Sequence, residues 1–114
     1  MIIVGIGIDI ENIYRFRKLS YKKDKKFYDK IFTSGEIKYC LSKADPYPHF
    51  AVRFSAKEAV IKALPKPANL KDIEIIRKSD TINVRIKNRK DLIVFASLSH
   101  TKEIAAAFAI VERR

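Results

Sequence analysis

The amino-acid sequence predicts an α+β fold, a single domain spanning residues 1–114 with an antiparallel sheet and helices packed on it. Three observations predict it. A β-branched run opens the chain, segments of helical period with caps and prolines follow, and two pairs of short apolar runs joined by turn residues close it. With 114 residues, 47% of them hydrophobic, the chain can bury one real core and is too short for a two-domain enzyme.

The run Ile2-Ile3-Val4-Gly5-Ile6-Gly7-Ile8 reads as a buried strand, being short and β-branched at most positions. Period two sets Gly5, Gly7 and Asp9 on one side, where either a neighbouring backbone or a ligand can come close to a carboxylate. From Ile10, the spacing of Ile13, Phe16 and Leu19, with Tyr14 on the flank, predicts an amphipathic helix that starts where the strand stops. Thr33 and Glu36 have capping-box spacing, which predicts a second helix through Leu41, broken by Asp45-Pro46-Tyr47-Pro48. A third helix is expected from Ala51 to Leu64, ended by Pro65 and Pro67.

Beyond the prolines, Ile73–Ile76 and Thr81–Ile86 flank Lys78-Ser79-Asp80 as a β-hairpin. Leu92–Leu98 and Ile104–Val111 flank Ser99–Glu103 as a second hairpin, although Ala105-Ala106-Ala107 favours a helix by intrinsic propensity.

The 24 Lys+Arg against 13 Asp+Glu give a formal charge of +11, which predicts attraction to nucleic acid, a phosphate-rich small molecule or an acidic protein. Between Arg15 and Lys30 eight basic residues face two acidic ones, net +6, forming either a docking face or a solvated helix and loop. A lone Cys40 excludes an internal disulfide and a thiolate zinc site within one chain, and fits a reducing, cytoplasmic setting. The opening apolar run stops at Asp9, far short of the ~20 residues that cross a bilayer, so no membrane span is expected.

Several residues could carry chemistry. Asp9 suits either an N-terminal helix cap or a metal site. Ser55-Ala56-Lys57-Glu58 matches a capping box, and Glu58 with Lys62 could form an i,i+4 ion pair of about 0.2–0.5 kcal/mol. The same spacing lets Glu58 bind a divalent cation while Lys62, one turn on, steadies a phosphate oxygen. Ser99, His100 and Thr101, in the presumed last turn, can hydrogen-bond phosphate or ribose or simply be solvated, and His49 has no supporting pattern. No Walker A loop, G-x-G-x-x-G, H-E-x-x-H or Ser-His-Asp spacing is present.

Three blocks together resemble one family: Gly5-Ile6-Gly7-Ile8-Asp9-Ile10, then Arg53-Phe54-Ser55-Ala56-Lys57-Glu58-Ala59 with Lys62-Ala63-Leu64, then Ser97-Leu98-Ser99-His100. The family is holo-[acyl-carrier-protein] synthase, the small trimeric class of 4′-phosphopantetheinyl transferases, and the resemblance spans essentially the whole chain. It implies the fold of that family, and transfer of 4′-phosphopantetheine from coenzyme A to a serine of apo-acyl carrier protein. It also implies that Asp9 and Glu58 bind Mg²⁺, with Mn²⁺ as a substitute, and that Lys62 touches the phosphate of coenzyme A. Arg53 and the Ser99-His100 turn would help to hold the nucleotide part. The basic first helix, with Arg15 and Arg17 as candidates, would receive the acidic carrier protein. A homotrimer with its site at the subunit seam is expected, with no nucleic acid and no membrane as partner.

The chain departs from the pattern at Asn12, where the family often has an acidic residue, with Glu11 one step earlier. It also departs at Pro65-Lys66-Pro67, where a glycine loop is usual, and at Ser55, where alanine is usual. Two other readings compete. A non-catalytic basic nucleic-acid-binding module explains the charge but not the blocks around Asp9 and Glu58, and a degenerate relative would bind coenzyme A without transferring from it.

Overall fold

One long helix lies against a three-stranded sheet so closely that two glycines of the first strand have no room for a side chain. A computed structural model describes all 114 residues. In chain order the elements are β1 (Ile2–Asn12), α1 (Tyr14–Arg17), α2 (Lys25–Ile31), α3 (Ser34–Leu41), α4 (Pro46–Ala63), a 3₁₀ turn (Leu70–Asp72), β2 (Ile73–Lys78), β3 (Thr81–Ile86), β4 (Leu92–His100) and β5 (Ile104–Arg113). The sheet has the order β1-β5-β4, all antiparallel, and β2-β3 form a separate two-stranded ribbon.

The close packing follows from small residues. A Cβ on Gly5 would lie 1.9 Å from the carbonyl oxygen of Ala63, and one on Gly7 would lie 1.9 Å from that of Ala59. Ala107 and Ala109 of β5 are buried together with Ala56, Ala59 and Ala63 of α4, and Ala105 is buried with the aromatic residues of the other cluster. The alanine run is therefore a strand despite its helical propensity, because only small side chains let the helix sit this low on the sheet. A second, aromatic cluster fills the space under α1–α3 and the first half of α4, with the Tyr28 and Phe50 ring centroids 4.6 Å apart.

The opposite sheet face is apolar and open. Ile6, Ile8 and Ile10 of β1, Phe108 of β5 and Phe95 of β4 are exposed, and the register joins them, with Ile8 opposite Phe108, Ile6 opposite Ile110 and Ile110 opposite Phe95.

Two fully buried charges tie the halves together. Lys57 Nζ lies 2.6 Å from Glu36 Oε1 and donates to the carbonyls of Ile31 at 2.8 Å and Leu70 at 3.1 Å. Glu36 in turn accepts from the amides of Thr33 at 2.8 Å and Ile75 at 2.7 Å. Every strong donor and acceptor of the pair is engaged, the condition for burying an ion pair.

Four local expectations are corrected. β1 runs on through Asp9 to Asn12, paired with Ile104–Ala107, so Asp9 lies within the strand and caps no helix, and the first helix shrinks to Tyr14–Arg17. Sheet pairing outweighed the helical spacing from Ile10. Asp45-Pro46-Tyr47-Pro48 starts α4, with the Asp45 carboxylate accepting from the Tyr47 amide and proline in the first turn, where a missing N–H costs nothing. Ser55 is consequently mid-helix and forms no capping box with Glu58, and Lys62 pairs with Asp9 in place of Glu58. Ser99 and His100 end β4 and precede the turn. The capping box of Thr33 and Glu36 and both hairpins are present as expected, with Ser79 at φ 54° in the first hairpin turn.

Candidate active site

The floor of the site is the contact of β1 with α4. The same face of β1 that carries Gly5 and Gly7 presents Asp9, so the close approach that excludes a Cβ also brings the helix to the carboxylate. Ser55 Oγ donates to the Asp9 carbonyl at 3.0 Å. Two turns further along α4, Lys62 Nζ donates to the Ile8 carbonyl at 2.9 Å and lies 3.3 Å from Asp9 Oδ1. Glu58 is half-buried between Ser55 and Lys62 on that helical face, at the i+3 and i−4 positions that place it beside both.

The second oxygen of Asp9 is the unusual atom. Asp9 Oδ2 is buried and has no hydrogen-bond partner, although buried carboxylate oxygens are ordinarily satisfied. An unpartnered buried carboxylate oxygen suits a divalent cation that takes oxygen ligands. No three His, Cys, Asp or Glu side chains gather into a protein-only metal cage. Magnesium is the cation such a donor set fits, since it takes one or two carboxylates and completes its shell with water and phosphate.

Glu11, two residues on from Asp9 along the same face, is a site residue that the sequence motifs did not single out. Burial first, then the neighbouring Asp9 carboxylate, push its carboxyl from the ordinary 4.5 up to about 7, against the pull of Arg15. The Arg15 Nη1 atom lies 3.1 Å from Glu11 Oε1, and its guanidinium sits 5.1 Å from the Phe54 ring centroid. Arg17 makes two hydrogen bonds to Asp45, at 3.1 and 2.7 Å, which hold the Asp45 carboxyl below the usual range. Both arginines thus already carry a carboxylate, while the exposed Lys22, Lys23, Lys26 and Lys30 make no ion pair.

A second cluster gathers Arg53, Ser99 and His100 around a cavity of about 500 Å³. Lys43, His49 and Arg77 also line it, together with Tyr39, and no Asp or Glu does. Arg53 is buried, its guanidinium 4.2 Å from the Tyr39 ring centroid, with Nη1 donating to the His49 carbonyl at 3.4 Å and Nε unpartnered. The structure therefore brings Asp9 and Lys62 together, and Arg53, Ser99 and His100 together, with no hydrogen bond or ion pair between the two groups inside one chain. Lys43, His49 and Arg77 had no motif to announce them; only the fold places them on the cavity.

Comparisons with known proteins place the chain in a family. Residues 5–109 match the family model of the 4′-phosphopantetheinyl transferase superfamily. The holo-[acyl-carrier-protein] synthase of Thermodesulfovibrio yellowstonii is 46% identical over 114 residues, covering 96% of this chain and 98% of that one. The enzyme of the same description from Chlamydia muridarum is 43% identical, covering 95% and 94%. Among solved structures, the holo-(acyl-carrier-protein) synthase of Bacillus anthracis in complex with CoA (3′,5′-ADP) superposes with a TM-score of 0.85 at 31% identity, covering 100% of both chains. That of Helicobacter pylori in complex with coenzyme A gives 0.81 at 28% identity, covering 94% and 99%. Sequence and fold agree along nearly the whole chain, and this chain belongs to the holo-[acyl-carrier-protein] synthases of the 4′-phosphopantetheinyl transferase superfamily.

Proposed function

We propose that this chain transfers the 4′-phosphopantetheine group of coenzyme A to a serine of an apo-acyl carrier protein in a Mg²⁺-dependent reaction that releases 3′,5′-ADP. The observation that carries the reading is the buried, unpartnered Asp9 Oδ2 on a carboxylate that Lys62 reaches from the α4 face also carrying Glu58. Asp9 and Glu58 would hold the cation, with Mn²⁺ able to replace Mg²⁺. When bound, it supplies charge neutralisation at the pyrophosphate, so that two anionic substrates can meet.

The chain's own groups do the rest. Glu58 accepts the serine proton, directly or through water, as the serine oxygen bonds to the phosphorus of the phosphopantetheine end. The bond from that phosphorus to the bridging oxygen breaks, and its electron pair leaves with 3′,5′-ADP. Lys62, already within reach of Asp9, offsets the charge that develops on the phosphoryl and leaving oxygens. Arg53, Ser99 and His100 hold the nucleotide part in the cationic cavity. Arg15 and Arg17, at the edge of the basic stretch, receive the acidic carrier protein, with the unpaired lysines beside them steering its approach.

Assembly completes the site. The separation of the two clusters within one chain and the open apolar band of Ile6, Ile8, Ile10, Phe95 and Phe108 both support a homotrimer with each site at a subunit seam. No helix is long and apolar enough to cross a membrane, and the buried, unpaired Cys40 suits a cytoplasmic setting.

The test is direct. The purified chain is incubated with apo-carrier protein, coenzyme A and Mg²⁺, with and without chelator, and the carrier is weighed for a phosphopantetheine adduct. Glu58→Gln, folded and still trimeric, is expected to lose about 10²-fold or more in turnover, and near-normal turnover at saturating Mg²⁺ overturns the assignment. Charge reversal at Arg15 and Arg17 is expected to raise KM for the carrier and spare that for coenzyme A.

A further inference from the structure

The cationic cavity holds a titratable group that no motif brought there. His49 lies one helical turn before Arg53 on α4, and its carbonyl accepts from the Arg53 guanidinium at 3.4 Å. Its ring stands edge-on to Tyr39 of α3, with centroids 6.1 Å apart, and to His100 at the end of β4, 6.4 Å away.

The charged groups around it come from every packed element. Arg53 and Asp45 belong to α4 and its cap, Lys43 to the segment between α3 and α4, Arg77 to β2 and His100 to β4. Asp45 is the one carboxylate among them, and Arg17 already holds both of its oxygens. Burial, then the charges of Arg53, Lys43 and His100, pull the His49 imidazole below its ordinary pKa against Asp45. A phosphate monoester, carrying about −1.5 to −2 charges at neutral pH, reverses that field and offers the ring N–H an acceptor.

We infer that His49 is a proton-dependent anion ligand of this cavity: neutral in the free protein, it takes up a proton as a phosphate monoester enters, so that the nucleotide end of the substrate binds more tightly as the pH falls. The inference rests on the reading that the nucleotide of coenzyme A occupies this cavity. It makes His49 a specificity residue that favours a phosphate-bearing nucleotide over its dephosphorylated analogue. If ligand binding raises the imidazole pKa by about one unit, the added affinity reaches roughly tenfold below the free-protein pKa and vanishes above the bound one.

The experiment uses the full chain and adenosine 3′,5′-bisphosphate. Calorimetric titrations from about pH 8 down to about pH 6, in buffers of different ionisation enthalpy, count the protons exchanged on binding. The wild type is expected to take up more protons than His49→Gln and to gain about tenfold more affinity over that range. Proton release by the phosphate itself is common to both proteins and cancels in the comparison. Proton NMR of the wild type, with the His49 ring signal identified by its loss in the variant, is expected to show its pKa rising by about one unit on binding. Equal proton counts and pH slopes in the two proteins, or an unmoved His49 signal, overturn the inference. Failure of the wild type to bind the bisphosphate at any pH overturns the nucleotide reading itself, which is a different outcome from binding without proton uptake.

Discussion

Ser55, in the middle of α4, donates its hydroxyl to the main-chain carbonyl of Asp9 on β1 at 3.0 Å. This bond ties the helix to the backbone of Asp9, whose carboxylate belongs to the candidate site. Ser55 is completely buried, so removing the hydroxyl cannot be compensated by bulk water. Ser55→Ala is expected to cost about 0.5–1.5 kcal/mol, the net value of one such bond, and to lower the melting temperature by several degrees. Lys62 still reaches Asp9 from the next turns of the helix, so kcat at saturating substrate is expected to hold within about threefold. A loss of a hundredfold would mean that the hydroxyl takes part in the chemistry.

Gly7 is a sharper test of the helix–strand contact. The Cβ of an alanine there would stand 1.9 Å from the Ala59 carbonyl oxygen, main chain against main chain, so nothing flexible can yield. Gly7→Ala is expected to destabilise by at least about 3 kcal/mol in urea unfolding and to abolish divalent-cation binding with it. Gly35→Ala is the control. Its nearest obstacle is the tip of the Glu74 side chain at 3.2 Å, and alanine favours a helix, so a change within about 1 kcal/mol is expected.

Gly5, Gly7 and Asp9 show why much of the site was legible in the sequence. Alternation along a strand is local, so their common face followed from spacing alone, as did the shared helix face of Glu58 and Lys62. Partners chosen by tertiary structure were not legible. Lys62 turned to Asp9 because β1 lies beside that face of α4, and the ladder to β5 drew residues 9–12 into the strand against their helical period. Pro46 and Pro48 look like a break in the sequence because proline both ends and begins helices, and only the Asp45 cap decides which. Lys43, His49 and Arg77 converge from three separate segments, a juxtaposition with no signature in chain order.

The buried pair of Lys57 and Glu36 is expected to behave as a unit. Lys57→Met leaves Glu36 without its partner at a site almost wholly shielded from solvent, and is expected to cost about 3–5 kcal/mol. Adding Glu36→Gln removes the unpaired carboxyl while keeping an oxygen for the amides of Thr33 or Ile75, so the double variant is expected to recover part of the loss. A double-mutant cycle by chemical denaturation measures the coupling, and strictly additive losses would show that the two charges stabilise the fold independently.

Glu11 gives the chain a pH signature of its own. Its carboxyl is raised from 4.5 to about 7 by burial and by Asp9, so between those values the folded protein keeps a proton that the unfolded chain has released. Stability therefore falls as the pH rises through this window, and above about 7 the full penalty of a charged Glu11 is in place. Glu11→Gln keeps the shape and removes the titration. It is expected to unfold at the same denaturant concentration as the wild type near pH 4, and at a higher one near pH 8. The ion pair with Arg15 opposes the effect, since it favours the charged carboxylate. If the variant proves less stable than the wild type at high pH, that ion pair outweighs burial and the repulsion from Asp9, and the raised carboxyl is refuted.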